Sequence, residues 1–204
     1  MLELFFTTIK DIAPIILLLI VIYTTIRITY LIYNKKKVVL YKELLVILFI
    51  IYALLLYYIV TFQDSNYGTS NYIPFKEIFR YEITSNLFYK NVLGNIFLFV
   101  PLGIFVTLYI KNKHFYLTMI LSLIISFSIE CIQSVIGRTF DIDDIILNTL
   151  GGLIGFILCK LFHKITLKFP KFIKSEMFLN LLSIIVILVI IYLFKRFNLW
   201  RLLV

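Results

Sequence analysis

The chain has 204 residues, 62% of them hydrophobic, and a mean hydropathy of +1.02. A soluble globular domain carries about 45–50% apolar residues, so a water-soluble fold is excluded and lipid must be the main solvent. The net charge of +9 comes from Lys and Arg lying mainly between apolar runs, where topology and anionic headgroups account for it and nucleic acid is not expected as a partner.

The first apolar segment runs from about Ile12 to Tyr33. It is longer than the ~7–15-residue apolar core of a signal peptide, lacks a basic lead and shows no small-residue cleavage site, so a retained membrane helix is expected. Pro14 falls in its first turn, where proline is tolerated. Arg27, toward the Lys-rich end, is expected to snorkel to the interface. After Asn34, Lys35, Lys36 and Lys37 comes a second run, Leu44–Phe62. A longer connection, Gln63–Lys90, carries Gly68, Pro74 and the phrase Asn71-Tyr72-Ile73-Pro74-Phe75. The third run spans Asn91–Ile110, the fourth His114–Ile136, the fifth about Asp144–Phe162 and the sixth Met177–Phe194. Each approaches or exceeds the ~17 residues needed to cross a bilayer. The expected fold is an all-α integral membrane protein, a bundle of about six transmembrane helices in a single membrane domain over residues 1–204.

Basic residues suggest the orientation. Lys35, Lys36, Lys37, Lys42, Lys111, Lys113, Lys160, Lys164, Lys168, Lys171 and Lys174 lie at the odd-numbered loops. The opposite side holds Lys10, Lys76, Arg80, Lys90, Arg138, Lys195, Arg196 and Arg201. Eleven against eight favours cytoplasmic odd loops. The basic C-terminal tail opposes that assignment, unless the sixth run lies in the interface. Cys131 and Cys159 fall near opposite ends of consecutive helices, which argues against a disulfide and for buried apolar filler.

Between the fourth and fifth runs the acidic residues Glu130, Asp141, Asp143 and Asp144 crowd together with Gln133, Arg138 and Asn148. In an up-down bundle the start of helix three, the end of helix four and the start of helix five share one membrane face. Asn91 and Asn95, Glu130 and Gln133, and Asp144 and Asn148 are three or four residues apart, so each pair projects from one helix face. Asp144, Asn148, Gly151 or Gly152, and Gly155 form a further stripe, and Gly151 with Gly155 has the GxxxG spacing of close helix packing. Glu130 would lie roughly 9 Å inside its helix end, where an unpaired carboxylate is costly. Arg138 is the nearest cation and is expected to reach Glu130, Asp141 or Asp144 through a bidentate contact. Asp143 is out of phase with the stripe and is expected to be solvated. Tyr72 and Phe75 suit the membrane interface, and the Asn71–Phe75 phrase reads as an anchored loop or as a lid over the polar residues.

His114 and His163 fall at the opposite membrane face, which removes zinc and a Ser–His triad with Ser126, Ser128 or Ser134 from consideration. Those serines read as helix-packing hydroxyls. No cofactor and no metal site is expected, with Ca²⁺ or Mg²⁺ on the carboxylates and amides as a minor alternative that Arg138 would oppose.

Together these residues resemble the VanZ-like family of bacterial membrane proteins. The likeness rests on Asn91-Val-Leu-Gly-Asn95-Ile-Phe-Leu-Phe-Val-Pro101-Leu-Gly103, on Glu130 with Gln133, and on Arg138, Asp141, Asp144, Asn148, Gly151 or Gly152, and Gly155. The phrase Asn71-Tyr-Ile-Pro74-Phe75 is similar to the family's Asn-x-Ile-Pro-Phe. The resemblance covers a core of about residues 71–162, flanked by helices at about 12–33, 44–62 and 177–194. It implies a bacterial cell membrane and a cell-envelope role, in a family associated with reduced susceptibility to the glycopeptide teicoplanin.

Three functions follow as alternatives. The first is a protein that binds or modifies an envelope molecule, either a lipid-linked wall precursor or a lipid headgroup, at a polar site on the extracytoplasmic side. Glu130, Asp141 and Asp144 are then the candidate catalytic residues, Arg138 holds an anionic group, and Asn91, Asn95, Gln133 and Asn148 position polar atoms. The second is a non-enzymatic accessory or binding protein in which the same residues form a structural clasp. The third is a small proton-coupled transporter, with membrane lipids the expected surroundings in every case.

Overall fold

A computed structural model describes residues 2–62, 70–110 and 114–196. Gln63 and Gly68 of the long connection, and the basic residues Lys111, Lys113 and Arg201, lie outside the described residues. Among the described residues the fold is all-α, with six helices: α1 (Leu2–Tyr33), α2 (Leu40–Phe62), α3 (Asn86–Tyr109), α4 (Phe115–Val135), α5 (Ile142–Thr166) and α6 (Glu176–Arg196). A single 3₁₀ turn, Ile78–Arg80, precedes α3, and α3 itself contains a π-helical turn at Tyr89–Leu93. Among the described residues five helices are long and apolar enough to cross a membrane: Ile12–Tyr33, Leu40–Thr61, Asn86–Tyr109, Phe115–Val135 and Ile142–Thr166. The sixth run gives a shorter apolar helix, Glu176–Tyr192. The protein is a multi-pass membrane protein.

The chain divides into two compact units, 1–58 with 168–204, and 59–167. The first holds the flanking helices α1, α2 and α6. In it Arg27 is paired with a carboxylate of α2. The guanidinium grips Glu43 of α2 at 2.9–3.0 Å through Nε and Nη2, and the Tyr23 hydroxyl donates to the same carboxylate at 2.7 Å. A carboxylate within reach on the neighbouring helix neutralises the cation where it stands, which is cheaper in an apolar setting than an isolated charge. Because α1 begins at Leu2, Pro14 lies inside the helix and not in its first turn. The start of α2 is tied to α6 by the Tyr41 N–H, which donates to Asn180 Oδ1 at 3.2 Å.

The second unit is built from α3, α4 and α5 with the end of α2 and the connection from Ser70. Here small residues set the spacing. A Cβ on Gly103 of α3 would stand 2.0 Å from the Gly152 carbonyl oxygen; one on Gly151 would meet the Ile96 carbonyl oxygen at 2.2 Å; one on Gly155 would meet that of Val100 at 2.2 Å. Backbone therefore touches backbone between α3 and α5, an approach open only to glycine. On its other side α5 faces a polar stripe of α4: Thr118, Ser122, Ser126, Glu130 and Gln133 are all buried. Their spacing of four, four, four and three residues keeps them on one helix face. Ser126 is thus a packing hydroxyl as expected, whereas Ser128 is exposed and bonds its own helix at the Ile124 carbonyl. Cys131 is exposed and not buried filler, and Cys159 is half-buried; both are free thiols.

Candidate functional site

The polar residues gather where α4 ends and α5 begins. Gly137, with φ of +86°, lets the chain turn directly after α4. The returning segment at Phe140–Ile142 pairs with Asn71 in an isolated parallel bridge: the Asn71 N–H donates to the Phe140 carbonyl at 2.8 Å, and the Ile142 N–H donates to the Asn71 carbonyl at 3.0 Å. Asn71 is buried, and its side-chain amide donates to Asp141 Oδ1 at 2.9 Å. Asp141 caps α5 by accepting the Asp143 N–H on the same oxygen at 2.9 Å, satisfying a donor that the helix start leaves open. Burial pushes the Asp141 carboxyl above its ordinary range, and the bond from Asn71 opposes that rise.

Asp143 is not solvated. It is 1% exposed and accepts three backbone N–H groups from the connection: Phe75 on Oδ1 at 2.5 Å, and Glu77 and Ile78 on Oδ2 at 2.7 and 3.2 Å. The connection folds over the start of α5, and Phe75 sits at φ +66°, a strained conformation for an aromatic residue. Its amide turns inward while Tyr72, stacked on Phe140 at 5.4 Å, and Phe75 remain exposed at the surface. The phrase Asn71–Phe75 is thus strapped to the start of α5 at both of its ends.

Glu130, 2% exposed, accepts the Asp141 N–H on Oε2 at 2.9 Å. Asp144 accepts on Oδ1 from the side-chain amide of Asn95. Asn148 donates to Ser126 Oγ at 2.9 Å. Three helices and the connection therefore deliver Glu130, Asp141, Asp144, Asn95 and Asn148 to one place, as their spacing predicts. Three expected members stand apart. Asn91, in the π turn, donates to the Tyr81 hydroxyl at 2.9 Å. Gln133 donates to the Val60 carbonyl at 3.2 Å. Arg138 does not form the expected ion pair: its Nη1 donates to the same Val60 oxygen at 2.5 Å, and no described carboxylate lies within ion-pair distance. Val60 lies in the last turn of α2, whose carbonyls lack helical donors and attract a cation. Arg138 still acts electrostatically on Glu130 and Asp144.

The carboxylates divide into two kinds. Both oxygens of Asp143 are occupied. Glu130, Asp141 and Asp144 are each held by one oxygen, while Glu130 Oε1, Asp141 Oδ2 and Asp144 Oδ2 accept from no described residue. Asn148 Oδ1 is buried with no partner. Among the described residues no group of three or more His, Cys, Asp or Glu is arranged to hold a metal ion. Asp143 takes part although its phase predicts a solvated side chain, while Asn71 joins as part of the phrase read as an anchor or lid and Ser126 as a packing hydroxyl. An acidic residue in the first turn beside a capping Asp was the available signal for Asp143.

Comparison with known proteins bears on this same stretch. The profile described as VanZ/LLP1 matches residues 49–163. Protein VanZ of Enterococcus faecium is 30% identical over 103 residues, covering 50% of this chain and 63% of that protein. The chain thus spans less than two thirds of that relative's length. No solved structure matches.

Proposed function

The chain belongs to the VanZ/LLP1 family, and on that premise we propose that it is a cell-envelope protein whose polar site binds or modifies a membrane-borne envelope molecule, a lipid-linked wall precursor or a lipid headgroup. One observation carries this reading: Glu130, Asp141 and Asp144, from two helix ends, are each fixed through one oxygen and leave the other open. Asp143, by contrast, has both oxygens occupied by backbone donors. Ionisable groups at membrane depth are costly to keep, which favours a use for them. If a reaction occurs, Glu130 or Asp144 serves as general acid or base, Arg138 holds an anionic group and Asn95 and Asn148 orient the molecule. The basic loops favour an extracytoplasmic site. The family link extends the proposal to glycopeptide susceptibility.

The test is purification in mild detergent followed by identification of retained envelope molecules. The wild type should retain a defined component, and Arg138→Ala and Glu130→Gln should lose it. Turnover of that component by the wild type and not by Glu130→Gln would mark an enzyme. Equal retention in all three proteins would remove the reading. A structural clasp is the second reading, favoured by Asp143, whose three backbone bonds hold the connection onto α5. It predicts that Glu130→Gln changes stability without changing what is retained.

A further inference from the structure

We propose that the group received at this site is a primary ammonium, so that the ligand is an amine-bearing membrane molecule. This deepens the envelope-molecule reading and rests on it.

The open carboxylate and amide atoms of the cluster share one polarity. Glu130 Oε1, Asp141 Oδ2 and Asp144 Oδ2 are acceptors with no donor among the described residues. Asn148 adds a fourth and independent acceptor. It is only 5% exposed, its nitrogen is engaged by Ser126 at 2.9 Å, and its carbonyl oxygen has no partner. Helical side chains lean toward the helix N-terminus, so Asn148 leans toward the turn carrying Asp144, one turn before it. Its contact Ser126 stands one turn before Glu130 on α4. Asn148 therefore stands one helical turn deeper than Asp144, and Ser126 one turn deeper than Glu130. A buried acceptor without a donor is costly, and a ligand N–H group reaching Asn148 Oδ1 removes that cost while its other N–H groups meet open carboxylate oxygens.

The spacing separates an ammonium from a metal. A metal needs its oxygens at about 2.0–2.6 Å from one centre, and among the described residues no group of three or more His, Cys, Asp or Glu is arranged to hold one. An N–H···O bond reaches about 2.7–3.2 Å, and a primary ammonium directs three N–H groups outward. A more open set of oxygens suits it. A quaternary ammonium offers no N–H and is recognised by aromatic faces, whereas the open atoms here are oxygens. Arg138, half-buried and bonded to the Val60 carbonyl through Nη1, keeps further N–H groups for an anionic group on the same molecule. A zwitterion with its ammonium inward and its phosphate or carboxylate toward Arg138 satisfies both.

Full-length protein in detergent, titrated with phosphatidylethanolamine and phosphatidylcholine of matched acyl chains and read by native mass spectrometry, tests this. At least tenfold preference for the primary amine is expected in the wild type. Asp144→Asn and Asn148→Ala should reduce that preference, while Asn148→Asp, which keeps an acceptor, should preserve it. Competition by free phosphoethanolamine would indicate that the headgroup alone is read; its failure to compete would assign recognition to the lipid-borne form. Equal binding of the two lipids overturns the ammonium assignment, even where envelope extracts still yield a retained component. No retained component from lipids or extracts overturns both readings.

Discussion

Gly103 of α3 and Gly152 of α5 approach so closely that a methyl group on Gly103 would stand 2.0 Å from the Gly152 carbonyl oxygen. The obstacle is backbone, which no rotamer change can clear. Gly103→Ala should therefore force the helices apart and destabilise the protein by about 1–3 kcal/mol. Thermal unfolding in detergent measures this. Gly137→Ala is the comparison in open space, where only the positive φ is strained, and its loss should be smaller. Equal losses would remove the packing argument.

Asp143 holds the connection through three backbone N–H groups. Asp143→Ala leaves three part-buried donors without their acceptor and should destabilise the protein by about 1–3 kcal/mol in all. Hydrogen exchange at Phe75, Glu77 and Ile78 should rise sharply, with little change in α3. Unchanged protection at those amides would show that another contact holds the segment.

Asp141 supplies a pH dependence with a definite sign. Burial raises its carboxyl in the folded state, so the folded protein binds the proton more tightly than the unfolded chain does. The stabilising contribution is fully present below the unfolded value and is lost as pH rises through the folded one. Asp141→Asn keeps a capping oxygen but removes the titration. Its stability relative to wild type should improve as pH rises from about 4 toward neutrality. A difference that stays constant with pH would contradict the assignment.

Arg27 and Glu43 form a bidentate pair between α1 and α2, with Tyr23 on the same carboxylate. The Arg27 side chain is 39% exposed, so the coupling in a double-mutant cycle of Arg27→Met and Glu43→Gln should be modest, on the order of 1 kcal/mol. The single Arg27→Met change should cost more than the double change, because it leaves a carboxylate alone. A single change milder than the double one would place Arg27 with the lipid and not with Glu43.

Hydropathy alone determined that the chain is an all-α membrane protein, and residue spacing alone determined which side chains share a helix face. Apolar length and the 3.6-residue turn are local properties, so Glu130, Asp144 and Asn148 were legible, as was the close packing of Gly151 and Gly155. Partner choice was not local. Arg138 turned to the Val60 carbonyl, 78 residues away along the chain, because the end of α2 offers it open acceptors. Asp143 became a buried hub because the connection folds onto α5 from 65 to 68 residues upstream. Asn91 found Tyr81 through the turn before α3. Such contacts depend on where distant backbone groups come to rest, and only the tertiary structure decides that.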